Sequence, residues 1–159
     1  MVQFIKDREI QSVVDAACGD FQSSYLIYDQ LPDVQYDGYD IVKRVIESNR
    51  VTHTKYRFHH LDIVSQVDQL KSSDLIILKD VLQHLNPQQM THILDYLVSS
   101  KKYKYILLCN CCNQTCDYEL DTVTDRPLSC RFFPLKKYNP EVVYTYHTKE
   151  VSVIFLSKE

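Results

Sequence analysis

A chain of 159 residues, 45% of them apolar and 25% charged, carries enough material for one globular domain with a buried core. Its formal net charge of −3, with no run of Lys or Arg, argues against a dedicated nucleic-acid binder, which displays a basic stripe. No stretch approaches the ~18 apolar residues a membrane span requires, and Lys6, Asp7, Arg8 and Glu9 stand where a signal peptide would be apolar. These features predict one soluble, cytoplasmic domain, 1–159, without a membrane span.

The predicted elements alternate along the chain. Residues 2–10 form a leading helix with Phe4 and Ile5 facing inward, and 12–16 form a buried strand ending near Asp15. Residues 23–31 read as a helix stopped by Pro32, and 35–39 as a second strand with Asp40 at its carboxyl end. Over 42–49, Val42, Val45 and Ile46 share one helical face, with Lys43, Arg44 and Glu47 on another. Residues 56–60 are a third strand, followed by Asp62, and 74–78 a fourth. Asn86-Pro87 marks a helix start, with Asn as N-cap and Pro at the first helical position. That helix runs to about Ser99 and buries Met90, Ile93, Leu94 and Leu97. A fifth strand covers 103–109. After a polar stretch, 110–126, the segments 142–147 and 151–156 form an antiparallel hairpin. Together these elements predict an α/β, Rossmann-like three-layer sandwich, its mostly parallel seven-stranded sheet closed by a C-terminal antiparallel hairpin.

Cysteine usage points the same way as the compartment. Cys18 stands alone, while Cys109, Cys111, Cys112, Cys116 and Cys130 lie in the last third. A zinc reading takes Cys112 and Cys116 with Cys109 or Cys130 and His147, but a closed zinc site needs a second short-spaced pair. Free thiols and no metal are therefore expected. Gly19 and Gly38 are the only glycines, so each calls for a reason.

An open parallel sheet binds ligands beyond the carboxyl ends of its strands, where strand order reverses. The residues at those ends are Asp15, Asp40, Asp62 and Lys79-Asp80. The first turn, Asp15-Ala16-Ala17-Cys18-Gly19-Asp20-Phe21, is tight enough for close approach of a ligand. It holds too little glycine for a pyrophosphate, and Asp15 and Asp20 would repel one. Asp40 follows Gly19 at the spacing of an acid that accepts hydrogen bonds from ribose hydroxyls; the alternative is a helix cap.

This turn resembles motif I of class I S-adenosylmethionine-dependent methyltransferases, D-x-G-x-G-x-G, with Ala17 and Phe21 at two of the glycine positions. The segments Lys79-Asp80-Val81-Leu82-Gln83-His84-Leu85 and Asp125-Arg126-Pro127-Leu128 narrow the resemblance to short bacterial and viral members often found in glycan synthesis. The resemblance implies S-adenosylmethionine as cofactor and S-adenosylhomocysteine as product. It implies that Asp15, Ala17, Cys18 and Gly19 form the cofactor loop, and that Asp40 with Ile41 meets the ribose. It places Asp62 at the adenine amino group, Ile63 against the ring, and Lys79 and Asp80 at the same site.

Methyl transfer to a sugar hydroxyl is helped by a base. His84 is the first candidate, because histidine as a residue type titrates near neutral pH, and Asp80 is the second, as base or as the group orienting His84. A helix cap is the competing role for His84. The 110–131 stretch is long for a connection and rich in polar groups, which makes Asn110 and Arg126 the candidates for acceptor binding, or Arg126 a partner of Asp125. The acceptor is expected to be a sugar or glycan, with another small molecule or nucleic acid as the alternative. A degenerate methyltransferase fold serving as a binding module is the non-enzymatic reading.

Overall fold

The computed structural model describes residues 1–156, so the last three residues of the expected domain lie outside the described residues. Seven strands form one sheet in the order β3-β2-β1-β4-β5-β7-β6. They are β1 (Ser12–Asp15), β2 (Gln35–Asp40), β3 (Arg57–His60), β4 (Leu75–Lys79), β5 (Tyr105–Cys111), β6 (Glu141–Tyr146) and β7 (Lys149–Phe155). The first five are parallel; β7 runs antiparallel to β5 and β6 antiparallel to β7. The expected fold class is the one found.

Strand alternation divides the apolar residues between two cores. Val14, Ala16, Ile76, Leu78, Ile106 and Leu108 face one side, where α5 (Pro87–Ser99) buries Met90, Ile93, Leu94 and Leu97 completely. Val13, Leu75, Ile77, Leu107, Val151 and Val153 face the other, against Ile5, Tyr28 and Ile46 from α1 (Val2–Asp7), α2 (Gln22–Tyr28) and α3 (Lys43–Thr52), and Phe21, which caps α2. Each buried side chain of α5 is worth roughly 1.5–3 kcal/mol, more than the propensity differences along the helix.

The start of α5 follows its sequence signal. Asn86 Oδ1 accepts from the Gln89 amide at 2.9 Å, and Gln89 Oε1 accepts from the Asn86 amide at 3.1 Å, a reciprocal capping box. The other helix ends differ from expectation by a few residues. A short helix absent from the sequence reading, α4 (Ile63–Gln66), is capped by Asp62 and continues into a 3₁₀ turn at Val67–Gln69. In α3 the inward face is Ile46 and Asn49, while Val42 is the exposed N-cap residue.

Between β2 and β3 the buried Asp37 carboxylate is ringed by partly exposed basic side chains. Arg57 grips the Asp37 carboxylate with Nε and Nη2, His59 Nε2 lies 2.6 Å from Oδ1, and Lys71 Nζ donates at 2.8 Å. Burial alone would raise the Asp37 pKa, but these three partners hold it below the usual carboxylate value. His59 also stacks on Tyr39 at 4.6 Å, and His60 Nε2 contacts the Ile41 carbonyl at 2.9 Å.

Gly38 faces Asp15 in the β1–β2 register and leaves no room for a side chain. A Cβ there would lie 3.0 Å from Cys18 Cβ, Cys18 Sγ and Phe58 Cδ1. Gly38→Ala should therefore destabilise the protein by about 1–3 kcal/mol, read as a drop in midpoint on urea unfolding. An unchanged midpoint would show that Cys18 and Phe58 yield freely.

Candidate functional site

Strand order reverses between β1 and β4, and at that point the strand ends enclose a cavity of about 290 Å³. Ala17, Asp40, Ile41, Asp62, Ile63, Asp80 and His84 line it. The residues expected to meet a ribose and an adenine ring thus share one cavity, with Asp40 and Asp62 supplying carboxylates and Ile41 and Ile63 apolar walls. Ile41 is 61% exposed, an apolar side chain held out at the mouth.

The loop after β1 is stitched to both neighbouring strands. The Ala16 amide donates to the Ile77 carbonyl and the Cys18 amide to the Tyr39 carbonyl, each at 2.9 Å. Gly19 has φ +53° and donates its amide to Asp40 Oδ2 at 3.0 Å. Phe21 stands at the last glycine position of the resembled motif and adopts the same left-handed backbone, with φ +61°. That conformation costs a non-glycine residue roughly 1–2 kcal/mol. Burial offsets it: Phe21 is 1% exposed, with Tyr36, Tyr56 and Phe58 ring centroids at 4.8, 4.9 and 5.1 Å.

The four acids differ in environment. Asp40 Oδ1 accepts from the Val42 amide at 2.9 Å, so both of its oxygens are oriented by backbone and each keeps acceptor capacity towards the cavity. Asp62 Oδ1 accepts from the Val64 amide and Oδ2 from Ser65 Oγ, which makes it the cap of α4 as well as a cavity wall. Asp80, with φ +56°, is paired with Lys149 and lies 3.4 Å from Lys79 Nζ. Lys149 Nζ also donates to Cys111 Sγ at 3.3 Å; burial lowers the Lys149 pKa, but its two partners raise it further, so it is an ammonium. Asp15 lies beneath the loop, 4% exposed, accepting from Tyr36 Oη at 2.9 Å. Neither Asp15, Cys18, Gly19 nor Lys79 lines the cavity; Cys18 is buried against Gly38.

A second cavity, about 330 Å³, adjoins the first and shares His84 with it. Gln83, Cys111, Asn113, Asp125 and Arg126 line the rest. The partner of His84 is Asp125 rather than Asp80: Nδ1 lies 2.7 Å from Asp125 Oδ1, and Thr124 Oγ1 donates to Oδ2 at 3.0 Å. Lys149 and Lys79 hold Asp80 elsewhere. His84 ends a 3₁₀ turn, Leu82–His84, and does not cap α5. Arg126 pairs with Asp121 at 2.7 Å, not with Asp125, and its guanidinium sits 4.6 Å from the Tyr118 ring centroid. Asn110 is buried in β5, 2% exposed, and lines neither cavity, because its side chain points to the sheet face opposite Cys109 and Cys111.

Buried polar anchors organise the long segment carrying Asp125 and Arg126. Gln114 accepts from the Ser129 amide and donates to the Cys116 and Phe133 carbonyls. Glu150 accepts from Ser129 Oγ at 3.0 Å and from the Cys130 amide at 2.7 Å. Gln83 closes the ring: its carbonyl accepts from the Arg126 amide and its Oε1 from the Cys111 amide. All six cysteines are free, and among the described residues no group of three or more His, Cys, Asp or Glu is placed to hold a metal ion. No helix among those residues is long and apolar enough to cross a membrane.

Burial raises the Asp15 pKa from 3.8 to about 6, against the opposing pull of the Tyr36 hydroxyl and the Lys79 charge. The neutral form is thus favoured by folding. Its stabilisation is complete below pH 3.8 and fades as pH rises through about 6. Asp15→Asn should therefore gain about 2 kcal/mol on the wild type between pH 4 and pH 8 in urea unfolding. Parallel stability curves for the two proteins would contradict this.

No family model and no curated protein sequence matches the chain. Solved structures do. The methyltransferase domain of bacterial CtHen1-C aligns with a TM-score of 0.72 and 12% identity, over 99% of this chain and 95% of that one. Human N-acetylserotonin methyltransferase, solved with S-adenosylmethionine, gives a TM-score of 0.71 and 14% identity over 99% of this chain and 50% of that one. An O-methyltransferase family protein from Burkholderia thailandensis gives 0.71 and 11%, over 99% of this chain and 55% of that one. The chain spans about half the length of the last two. At these identities the likeness is one of fold: the chain has the Rossmann-like fold seen in methyltransferases.

Proposed function

We propose that this protein is an S-adenosylmethionine-dependent O-methyltransferase acting on a hydroxyl of a sugar or glycan. The observation that carries the reading is the placement of His84, oriented by Asp125, between two adjoining cavities. One of them presents the acids and apolar walls that a nucleoside requires. The other presents the hydrogen-bonding groups that a hydroxylated acceptor requires.

The residues of the first cavity fit the cofactor. Asp40 keeps acceptor positions for ribose hydroxyls, Asp62 for an exocyclic amine, and Ile41 and Ile63 can flank a planar ring. Bound S-adenosylmethionine supplies a methyl group activated by its sulfonium. The protein supplies position and a proton acceptor. A carboxylate can only accept, so Asp125 fixes the His84 proton on Nδ1 and leaves the Nε2 lone pair available. Gln83 Nε2, an amide donor 3.5 Å from that nitrogen, would give way to the acceptor's hydroxyl. With the cofactor bound, His84 would take the proton of the acceptor's hydroxyl, whose oxygen would receive the methyl as the sulfur–methyl bond breaks, giving a methyl ether and S-adenosylhomocysteine. The sugar preference rests on the resemblance of the Lys79–Leu85 and Asp125–Leu128 segments, and the small polar cavity is compatible with it.

His84→Ala should lower turnover by about 10²–10⁴-fold with cofactor affinity nearly unchanged. Asp125→Asn, which no longer fixes the proton on Nδ1, should lower it by about tenfold or more. Transfer of label from methyl-labelled S-adenosylmethionine to a panel of monosaccharides and short glycans measures both. Full turnover in His84→Ala would remove the histidine from the chemistry, and labelling of other acceptors but no sugar would overturn the substrate class.

A further inference from the structure

Asn49 is a polar side chain in a core position. It occupies the inward face of α3 one turn after the fully buried Ile46 and is itself 3% exposed. Its Nδ2 donates to the Gly19 carbonyl at 2.8 Å. The next residue, Arg50, donates from Nε to the Phe58 carbonyl at 2.8 Å and ties the same turn of helix to β3. The seat of Asn49 is therefore fixed by packing and by backbone attachment, independently of Gly19.

From these contacts we infer that Asn49 is a positioning residue for the cofactor loop, and this rests on the cofactor reading given above. The peptide before Gly19 is pinned through its N–H to Asp40, and the peptide after it through its carbonyl to Asn49. Pinning both peptides fixes both dihedrals of the residue with the greatest conformational freedom in the loop. Gly19 sits at φ +53° with open space around the position a Cβ would take, so neighbouring atoms do not hold it by packing. Hydrogen bonds do. The same clamp keeps Asp40 Oδ2 aimed along the loop, because the donor it meets cannot swing away. Asn49 lines neither of the two cavities at the strand ends, so its effect on a ligand there passes through Gly19 and Asp40.

Asn49→Ala frees Gly19 to sample other conformations, which binding must then suppress. Calorimetric titration with S-adenosylhomocysteine should show a Kd raised about fivefold or more, measured well below the unfolding temperature. Asn49→Asp keeps the size but opposes the carbonyl with an acceptor, and should weaken binding at least as much. Ile46→Val, on the same helix face, should lower the unfolding temperature while leaving Kd within about twofold of wild type. Wild-type affinity in both Asn49 variants overturns the clamp and leaves the cofactor reading standing. Equal weakening in Ile46→Val also overturns the clamp, because the effect would then be one of general stability. Absence of S-adenosylhomocysteine binding by the wild-type chain overturns the clamp and the cofactor reading together.

Discussion

Where a parallel sheet reverses its strand order, adjacent loops leave in opposite directions and their backbone groups need partners from outside the ladder. In this protein the Asp40 carboxylate meets that need at the end of β2, accepting from the Gly19 amide on one side and the Val42 amide on the other. That interaction fixes the turn after β1, the entry to α3 and the wall of the first cavity at once. A carboxylate bound to two amides is also held in one direction.

The second half of the site is built differently. No α-helix lies between β5 and β6 among the described residues, and the connection is shaped by buried polar side chains instead. Gln114 and Glu150 satisfy its backbone from within, and Gln83 fastens it to the loop after β4. Asp125 precedes the residue so fastened, Arg126, and meets His84 beside Gln83. The first cavity thus depends on strand ends and the second on a loop, which allows one to vary while the other is kept.

Elements governed by local rules were legible in the sequence: the Asn86 N-cap, the apolar stripe of α5, and the run of strand-end acids. Of the strand-end residues, Asp40, Asp62 and Asp80 line the cavity, while Ile41 and Ile63 beside them were implied by the resemblance alone. What stayed hidden was non-local or too short to show a period. The four residues of α4 cover barely one turn, and the Asp62 cap was the signal that could have revealed them. The His84–Asp125 pair joins residues 41 apart in sequence, and the Arg57–Asp37 pair residues 20 apart, so spacing said nothing about either. Asn49 carries no signal in the sequence, because a polar residue at a helical position ordinarily marks the solvent face. Phe21 suggested a decayed glycine motif, yet it retains the left-handed backbone and adds an aromatic anchor.

Calorimetric titration of the wild-type chain and of Asp40→Ala tests most directly whether the first cavity holds S-adenosylmethionine through Asp40. Micromolar binding is expected of the wild type. Removing a charge-assisted acceptor worth about 1.5–3 kcal/mol should weaken that binding by about tenfold or more. No heat of binding at millimolar cofactor, or equal affinity in the two proteins, would contradict that reading of the cavity.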